Sequence, residues 1–400
     1  MKIRWGHTIV ASALLAISVP RLFAGAVYFV TDLGTLGGDI SEAFGINNNG
    51  QVVGYANTSN GIPPHAFLYS GEVMKDLGTL GGDDSEALGI NDNGQVVGYS
   101  WTASNVTIHP FLYDSGVMTD LGNFGGQTIA YAINNSDQIV GYGQSTNGNS
   151  NHAFLYSGGQ MTDLNPLIGF SGSVAQSINN NGEVAGYFGT NSAYNAFLLS
   201  NGSLTKLGTL GGDSAAFGIN GKGEVVGFAY LTNNLYQHAF LYSGGMMKDL
   251  GTLSGNNSRA LAINNNGEVV GDSGTAFLYS GGVMKDLNTL IPPASGWSLS
   301  RAQGINDYGQ IVGYGTIGGQ TRAFLLSPYR KLFIKVSVGN LVFTWFEDVT
   351  APPFQLHQNA ALTETNWAVV TNRITSTNGL VQVVIPGPLV GNCFYRLQSN

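Results

Sequence analysis

The sequence predicts an all-β protein: a seven-bladed β-propeller closed by a donated N-terminal strand, followed by a small C-terminal β-sandwich. Three observations lead to this fold. One repeat occurs in seven copies, each copy holds four strand-like segments, and a lone strand-like segment precedes the first copy. The composition agrees, because 58 glycines and only 10% charged residues are typical of a β protein rich in turns.

The repeat is clearest in the segment GINNNGQVVGY around Ile46, which returns six more times at intervals of 41 to 45 residues. The four strand-like segments of the first copy are SEAFGI, QVVGY, HAFLY and VMKDLG. Asn-x-x-Gly joins the first two segments and Ser-Gly the last two, and both patterns indicate tight hairpins. Four antiparallel strands in a unit of about 40 to 50 residues predict one propeller blade.

The two ends of the repeated region predict how the ring closes. The last copy has no fourth strand, since PYRKLFIK follows RAFLLS directly. The segment VYFVTDLGTLGG, residues 27–38, precedes the first copy and has the fourth-strand pattern. We expect it to join the last copy, which completes seven blades over residues 27–328 and removes two open sheet edges.

Residues 1–26 have the pattern of a secretory signal peptide. A positively charged start precedes a short apolar stretch, and Ala24-Gly25-Ala26 supplies a cleavage site. We therefore expect a mature chain from Val27 that is secreted or held in the cell envelope. The apolar stretch is too short to span a bilayer, and no later run approaches the roughly 20 residues that a membrane helix needs.

The repeat resembles the HAF-repeat family of extracellular bacterial proteins. The name-giving motif is seen here as His65-Ala66-Phe67, His152-Ala153-Phe154 and His238-Ala239-Phe240. The segments DLGTLGG and GINxxGxVVGY also match the family pattern, and the likeness covers residues 28–327. The resemblance implies a propeller-like fold and export, and it implies no activity, catalytic residue or ligand.

The repeat is absent from residues 329–400. Alternating segments such as GLVQVVIP predict a small β-sandwich there. The stretches FQLHQNAALTETNWAVV and FYRLQS resemble C-terminal modules of secreted proteins from Verrucomicrobia-type bacteria.

A histidine and an aspartate recur eleven positions apart in four copies. The pairs are His65 with Asp76, His109 with Asp120, His152 with Asp163, and His238 with Asp249. If Ser70 and Gly71 form a two-residue turn, His65 lies opposite Asp76 and within reach of a hydrogen bond or ion pair. The equivalent positions elsewhere hold Asn195 with Lys206, Thr275 with Asp286, and Arg322 with Asp32 of the donated strand.

These pairs are interpreted as structural cross-strand contacts. Near-copies spread around a ring do not converge in one cleft, as the groups of a catalytic site must. A metal-binding or acid–base role is the alternative. Calcium at the NNNGQ turns is a further alternative, but calcium prefers carboxylates and these turns are mostly asparagine. We expect no metal and no cofactor.

The predicted blades place both tight hairpins on one face of the ring, the hairpin face. The loops after the second and fourth strands lie on the other, which we call the loop-rich face. These loops carry aromatic and acidic side chains that predict a surface for a glycan or a peptide. The candidates are Trp101, Tyr194, Tyr230, Tyr236, Trp297, Asp83, Asp84 and Glu86. Aromatic rings folded onto the propeller are the alternative.

The function expected from the sequence is that of a monomeric binding or structural module with an unidentified ligand. The competing hypothesis is an extracellular carbohydrate-active enzyme, which would need two loop carboxylates facing one pocket. The motifs of zinc proteases, serine hydrolases and P-loop proteins are absent from the sequence. A net charge of −8 with only 16 Lys and Arg argues against a nucleic-acid partner.

Overall fold

The computed structural model describes residues 28–59, 63–145, 150–190, 193–232, 235–328, 333–337, 340–346, 354–359, 368–370, 374–377, 380–385 and 394–399. The signal peptide expected over residues 1–26 and the mature start expected at Val27 lie outside these residues. The chain divides into two units, Val30–Leu326 and a second unit of Met1–Phe29 with Ser327–Asn400.

The larger unit is a seven-bladed β-propeller. Strand β1 (Tyr28–Asp32) comes first, and six blades then follow in which each strand pairs with the next along the chain. The strands of the first three blades are β2 (Gly37–Ile46), β3 (Val52–Thr58), β4 (His65–Ser70), β5 (Val73–Asp76), β6 (Gly81–Ile90), β7 (Val96–Thr102), β8 (Ile108–Asp114), β9 (Val117–Asp120), β10 (Thr128–Ile133), β11 (Ile139–Gln144), β12 (Asn151–Ser157) and β13 (Gln160–Asp163).

The next three blades have the same order. Their strands are β14 (Gly172–Ile178), β15 (Val184–Thr190), β16 (Ala193–Ser200), β17 (Ser203–Lys206), β18 (Gly211–Ile219), β19 (Val225–Leu231), β20 (Gln237–Ser243), β21 (Met246–Asp249), β22 (Arg259–Ile263), β23 (Val269–Asp272), β24 (Ala276–Ser280) and β25 (Val283–Asp286). Short helices interrupt the loops at α1 (Asn165–Ile168) and at the 3-10 turns Ala103–Asn105, Leu287–Thr289 and Pro293–Ser295.

The seventh sheet contains β26 (Trp297–Ile305), β27 (Ile311–Ile317) and β28 (Gln320–Pro328), and its order is β1-β28-β27-β26. Beyond β1, the Leu33 N–H donates to the Ala323 oxygen at 3.0 Å. The Ala323 N–H in turn donates to Ser41 Oγ of the first blade at 3.0 Å. The Ala66 N–H makes the same bond to Ser85 Oγ at 2.9 Å, so the first and last blades meet through the contact that joins blades one and two.

Neighbouring blades pack through alternate residues of their strands. Phe67 packs toward the last blade in a cluster with Val312, while Val53 packs toward the second blade in a cluster with Phe111. The phenylalanine of the third strand is fully buried in every blade, and these residues are Phe67, Phe111, Phe154, Phe197, Phe240, Phe277 and Phe324.

A β-bulge in the first strand explains the glycine of the V-V-G-Y motif. In β2 the register shifts between Ala43 and Gly45, and Ala43 pairs with Gly54 of β3. A Cβ atom on Gly54 would lie 1.9 Å from the Glu42 oxygen, so only glycine fits there. The same clash, at 1.9 to 2.0 Å, applies to Gly54, Gly98, Gly141, Gly186, Gly227, Gly271 and Gly313.

The register of the outer hairpin differs from the one predicted. Ser70 pairs with Val73, so Gly71 and Glu72 are the two turn residues rather than Ser70 and Gly71. Both turn residues have positive φ, 59° and 65°, as a type I′ turn requires. As a result Asp76 lies opposite Phe67, and the expectation that it faces His65 directly is wrong.

The smaller unit contains two sheets. Its strands are β29 (Phe333–Ser337), β30 (Asn340–Phe346), β31 (Phe354–Asn359), β32 (Ala368–Val369), β33 (Ile374–Thr377), β34 (Leu380–Ile385) and β35 (Phe394–Ser399). One sheet has the order β29-β30-β34-β33 and the other β32-β31-β35. No helix within the described residues of the chain has the length and apolar character needed to cross a membrane.

Candidate functional site

A closed ring of seven asparagines lies around the propeller axis on the hairpin face. Each begins the turn between the first two strands of its blade, and each is buried. Its side-chain Nδ2 donates to the backbone oxygen of the equivalent asparagine in the next blade, at 2.9 to 3.1 Å. The ring consists of Asn47, Asn91, Asn134, Asn179, Asn220, Asn264 and Asn306.

The remaining polar atoms of these asparagines are also in use. Asn47 Oδ1 accepts from the N–H groups of Asn49 and Gln51, and its Nδ2 donates a second bond to Gln51 Oε1 at 2.8 Å. The repeat pattern N-x-x-G-[Q/E] therefore supplies the residues whose hydrogen bonds complete this turn. Because their oxygens are engaged by backbone N–H groups, these amides brace the ring rather than offer free ligands.

A ring of isoleucines lies next to the asparagines, between two spaces on the axis. All seven line the smaller space, and all except Ile178 line the larger one. The space on the hairpin side has a volume of 190 Å³, and the other has a volume of 430 Å³. We call the larger space the axial cavity. The isoleucines are Ile46, Ile90, Ile133, Ile178, Ile219, Ile263 and Ile305.

The wall of the axial cavity takes one larger side chain from the first strand of each blade. Three are aromatic, two are leucines and two are glutamines. They are Phe44, Leu88, Tyr131, Gln176, Phe217, Leu261 and Gln303. The tyrosine or phenylalanine of V-V-G-Y packs behind the aromatic ones, with ring centroids 5.7 Å apart for Phe44 and Tyr55. Gln176 holds the wall together by hydrogen bonds to the Tyr131 and Tyr187 side chains.

Two residues before each wall position, the first strand carries a side chain nearer the loop-rich face. These seven positions differ between blades, and we call them the rim. They are Glu42, Glu86, Ile129, Val174, Ala215, Arg259 and Arg301. In each blade the rim residue pairs in register with the last residue of V-V-G-Y or its equivalent. The rim is thus acidic on blades one and two and basic on blades six and seven.

The acidic side of the rim is partly removed from water. The pKa of Glu86 is raised to about 7: burial is the main cause, the nearby charges of Asp84 and Glu42 add to it, and a hydrogen bond from Tyr99 opposes them. Burial also raises the pKa of Glu42, against a hydrogen bond from Tyr55 and the charge of Arg301. Glu42 and Glu86 therefore form a pair of carboxyl groups on neighbouring blades, although no carboxylate lines the axial cavity itself.

The basic side of the rim is only partly neutralised, because two arginines share one carboxylate. Arg259 Nη2 and Asp272 Oδ2 are 3.2 Å apart, and Arg301 Nε and Asp272 Oδ1 are also 3.2 Å apart. The second contact is an ion pair by distance only, because those two atoms are not aligned as a hydrogen bond. Arg301 also lies over the Tyr314 ring, 5.7 Å from its centroid. One carboxylate thus holds both arginines.

Two of the predicted aromatic residues form a cluster. Tyr194 of blade four and Tyr230 of blade five share a side-chain hydrogen bond, and both pack edge-on against Phe228, at 6.3 and 5.7 Å. Tyr194 also packs against Tyr187 at 5.8 Å. Burial, with the charges of neighbouring groups, raises the pKa of Tyr194 to about 12. Both tyrosines remain partly exposed, so we refer to this group as the Tyr194–Tyr230 cluster.

The other predicted site residues have separate surroundings. Trp297 packs edge-on against Phe324, at 6.1 Å. Trp101 is half-buried in β7, while Tyr236 is 44% exposed. Asp83 accepts a hydrogen bond of 2.6 Å from the Asn105 side chain.

Asp84, by contrast, lies with Glu86 on the acidic side of the rim, and burial raises its pKa. Within the described residues, the structure therefore brings together Asp84 with Glu86 and Tyr194 with Tyr230. Sequence reasoning missed most of the rim and the wall. The variable middle residue of the repeated segment S-x-A marks each rim position. It could have been recognised from the V-V-G-Y residue that pairs with it.

The histidine–aspartate pairs join diagonally across the outer hairpin. In all four, the histidine Nδ1 and an aspartate Oδ2 are 2.8 to 2.9 Å apart. The aspartate also accepts the N–H two residues later, as Asp76 does from Gly78 at 2.7 Å. Asp286 does the same with Asn288 at 2.8 Å, although Thr275 stands at the histidine position. The aspartate therefore has a role of its own at the strand end.

Two of the expected variants of the pair have different partners. Arg322 donates to Gln320 Oε1 at 2.6 Å, and Asp32 accepts from the Gly34 N–H at 2.9 Å. The ion pairs among the described residues do not join Arg322 to Asp32. Lys206 lies over the Phe170 ring, 4.9 Å from its centroid, so its charge is placed on an aromatic face.

Comparison with known proteins gives limited likenesses. The model of a family described as "Protein of unknown function (DUF3466)" matches residues 40–196, from the first blade into the fourth. No curated protein matches the chain. Among solved structures, the crystal structure of TolB from Acinetobacter baumannii is similar at 12% identity and a TM-score of 0.35, over 58% of this chain. The match covers 64% of that TolB chain, less than two thirds of its length.

The resemblances to HAF-repeat proteins and to Verrucomicrobia-type modules remain expectations from the sequence.

Proposed function

We propose that the protein is an exported, monomeric binding module that holds a peptide or a glycan on the loop-rich face of its propeller. The Tyr194–Tyr230 cluster carries this proposal. Tyrosine gives a large contact area at a small cost in side-chain entropy, and it is enriched at binding surfaces. Phe228 and the shared hydrogen bond fix both rings before a ligand arrives, while the rings stay partly exposed.

Peptide and glycan arrays probed with the chain from Val27 to Asn400 test this function. We expect selective binding to members of one array, and a loss of at least about tenfold in affinity for Tyr194→Ala combined with Tyr230→Ala. Tyr236→Ala is the matched control, since this tyrosine is 44% exposed and stands outside the cluster. Unchanged binding by the double variant, or binding to neither array, would contradict the proposal.

Export rests on the pattern of residues 1–26, with a charged start, an apolar stretch and an Ala-Gly-Ala site. Expression of the whole chain in a bacterium, followed by N-terminal sequencing of the protein outside the cytoplasm, measures this directly. A chain that begins at Val27 is the expected product. A chain that keeps its first residues in the cytoplasm would rule export out.

We also propose that β1 closes the propeller and that the smaller unit folds as a β-sandwich. The sheet order β1-β28-β27-β26 and the bond from the Leu33 N–H to the Ala323 oxygen support the closing role. The two sheets of the smaller unit, with Phe343 and Val383 fully buried, support the sandwich. The histidine–aspartate pairs serve this framework as structural contacts.

A further inference from the structure

We propose that the axial cavity and the acidic side of its rim bind a small organic cation, with the ammonium group at Glu42 and Glu86 and the apolar body in the cavity. The inference rests on the proposed function, because it names a ligand class for the same face of the propeller. It adds a site on the axis, whose wall residue Phe217 packs against Phe228 of the Tyr194–Tyr230 cluster.

The cavity has the size and lining of a small-molecule site. Its volume of 430 Å³ falls in the range of about 300 to 1,000 Å³ that is usual for such sites. Phe44, Leu88, Phe217 and Leu261 give it an apolar wall, and the isoleucine ring forms its end toward the hairpin face. The polar groups of this lining are the two glutamines, Ser177 and the Tyr131 hydroxyl, and Gln176 is hydrogen-bonded to Tyr131. The apolar side chains are the surface that fits the apolar body of a ligand.

The charges of the rim residues favour a positively charged ligand over a negatively charged one. The groups that act on Glu86 are the Tyr99 hydroxyl and the carboxylates of Asp84 and Glu42, and none of them is a cation. Arg301 acts on Glu42, yet Asp272 already lies 3.2 Å from each rim arginine. A ligand cation would supply the positive charge that Glu86 lacks, whereas on the basic side Asp272 already balances one of the two arginine charges.

Aromatic rings surround the place where the cation would lie. Tyr55 and Tyr99 hydrogen-bond to the two glutamates, and the charge of Glu86 also acts on Tyr131, which is next to Tyr99. The faces of such rings attract an ammonium group. Carboxylates with aromatic rings above an apolar cavity form a combination that suits an alkyl or aryl ammonium ion.

The site should respond to pH. The pKa of Glu86 is raised to about 7 in the free protein, while an alkylammonium group stays charged well above pH 8. Binding of the cation favours the ionised carboxylate, so affinity should increase between pH 6 and pH 8 by about tenfold. Asp84, Glu42, Tyr55, Tyr99 and Tyr131 are the titratable groups that interact with Glu86 there.

Calorimetric titration of the chain from Val27 to Asn400 with 4-phenylbutylamine tests the site, with 4-phenylbutanol and 4-phenylbutyrate as matched neutral and anionic probes. At pH 8 we expect the amine to bind at least about tenfold more tightly than the alcohol, and the anion to bind less tightly than either. No binding of the amine, or equal binding of amine and alcohol, would overturn the proposal.

Two variants distinguish the contribution of the carboxylate charge to binding from that of the cavity. Glu86→Gln should reduce amine affinity to that of the alcohol and remove its pH dependence, while alcohol affinity is unchanged. Leu261→Trp should weaken amine and alcohol together, because it fills the wall opposite the glutamates. Asp83→Asn removes one charge at an exposed carboxylate that bonds to Asn105, and it should change nothing. Retention of the pH-dependent amine affinity by Glu86→Gln would refute the role of the rim.

The two proposals fail separately. Array binding without amine binding would leave the peptide or glycan function standing and reject the cation site. Amine binding without any array ligand would do the reverse.

Discussion

Asn306 Nδ2 donates to the backbone oxygen of Asn47 at 3.0 Å, across 259 positions of the chain. This bond joins the last blade to the first in the same way that each other blade is joined to the next. It belongs to a side chain whose every polar atom has a partner, since Asn306 also bonds Tyr308 and Gln310.

Asn306→Ala should therefore destabilise the propeller by roughly 2 to 4 kcal/mol, because it leaves buried backbone groups without partners. The measurement is urea unfolding of variant and parent. Asn181→Ala is the control, since Asn181 also donates across blades, to Gly221 at 3.1 Å, but from an exposed position. A cost for Asn306→Ala no larger than that of the control would show that the buried ring adds nothing.

Gly98→Ala should be among the most damaging single changes in the chain. A Cβ atom on Gly98 would stand 1.9 Å from the Glu86 oxygen, so the bulge of β6 must move. We expect a loss of several kcal/mol or a failure to fold. Gly172→Ala is the control, because the nearest atom to its added Cβ is 3.4 Å away. Similar melting temperatures for Gly98→Ala and the parent would contradict the bulge.

Removal of residues 27–33 tests the closing role of β1. The shortened chain should melt well below a chain that begins at Val27, because β28 would lose its neighbour and expose an open edge. Differential scanning calorimetry of the two chains measures the change. Equal melting temperatures would mean that β1 is dispensable for closure.

The outer hairpins allow the two roles of the aspartate to be separated. His65→Ala removes a partly exposed pair and should cost less than about 1 kcal/mol. Asp76→Ala also removes the acceptor of the Gly78 N–H, so it should cost more. Asp286→Ala measures the second role alone, since Thr275 replaces the histidine there. Thermal unfolding of the three variants would contradict this division if His65→Ala were the most damaging.

Stability should depend on pH through Glu86. Its pKa in the folded protein is about 7, above the ordinary glutamate value of 4.5. The carboxyl group therefore contributes most to stability below pH 4.5, and the contribution is lost as the pH rises through 7. The scale is on the order of 1.4 kcal/mol per unit of pKa shift. Glu86→Gln should flatten this part of the stability profile measured by urea unfolding at several pH values. If the stability of Glu86→Gln declined with pH in parallel with that of the parent, the pH dependence would be due to other groups.

The repeat made the seven-bladed propeller predictable, because each copy contains four strand-like segments and the turn residues between them. The hairpin register was not, since Ser70-Gly71 and Gly71-Glu72 are both plausible turn dipeptides. Only the backbone shows that Glu72, at φ 65°, takes the left-handed position. A one-residue change in the turn moved the partner of Asp76 by two positions.

The sequence predicted only part of the candidate site. The expected loop location and the residue type pointed to four residues that belong to clusters, although the structure places all four in strands rather than loops. They are Asp84, Glu86, Tyr194 and Tyr230. Arg259 and Arg301 were overlooked because the alternation of residues in the first strand does not reveal which side chains reach the axis. The bulge sets that direction, and it depends on the contact between strands at Gly271 and Gly313.

The asparagine ring has a consequence for how the molecule comes apart. A linear array of repeats frays from its terminal units, because each end has only one neighbour. Here every blade has two neighbours, and the bond from Asn306 to Asn47 leaves no end from which fraying could start. Loss of one blade must therefore break two interfaces at once, so the propeller should unfold as one cooperative unit and expose no single blade to proteases beforehand.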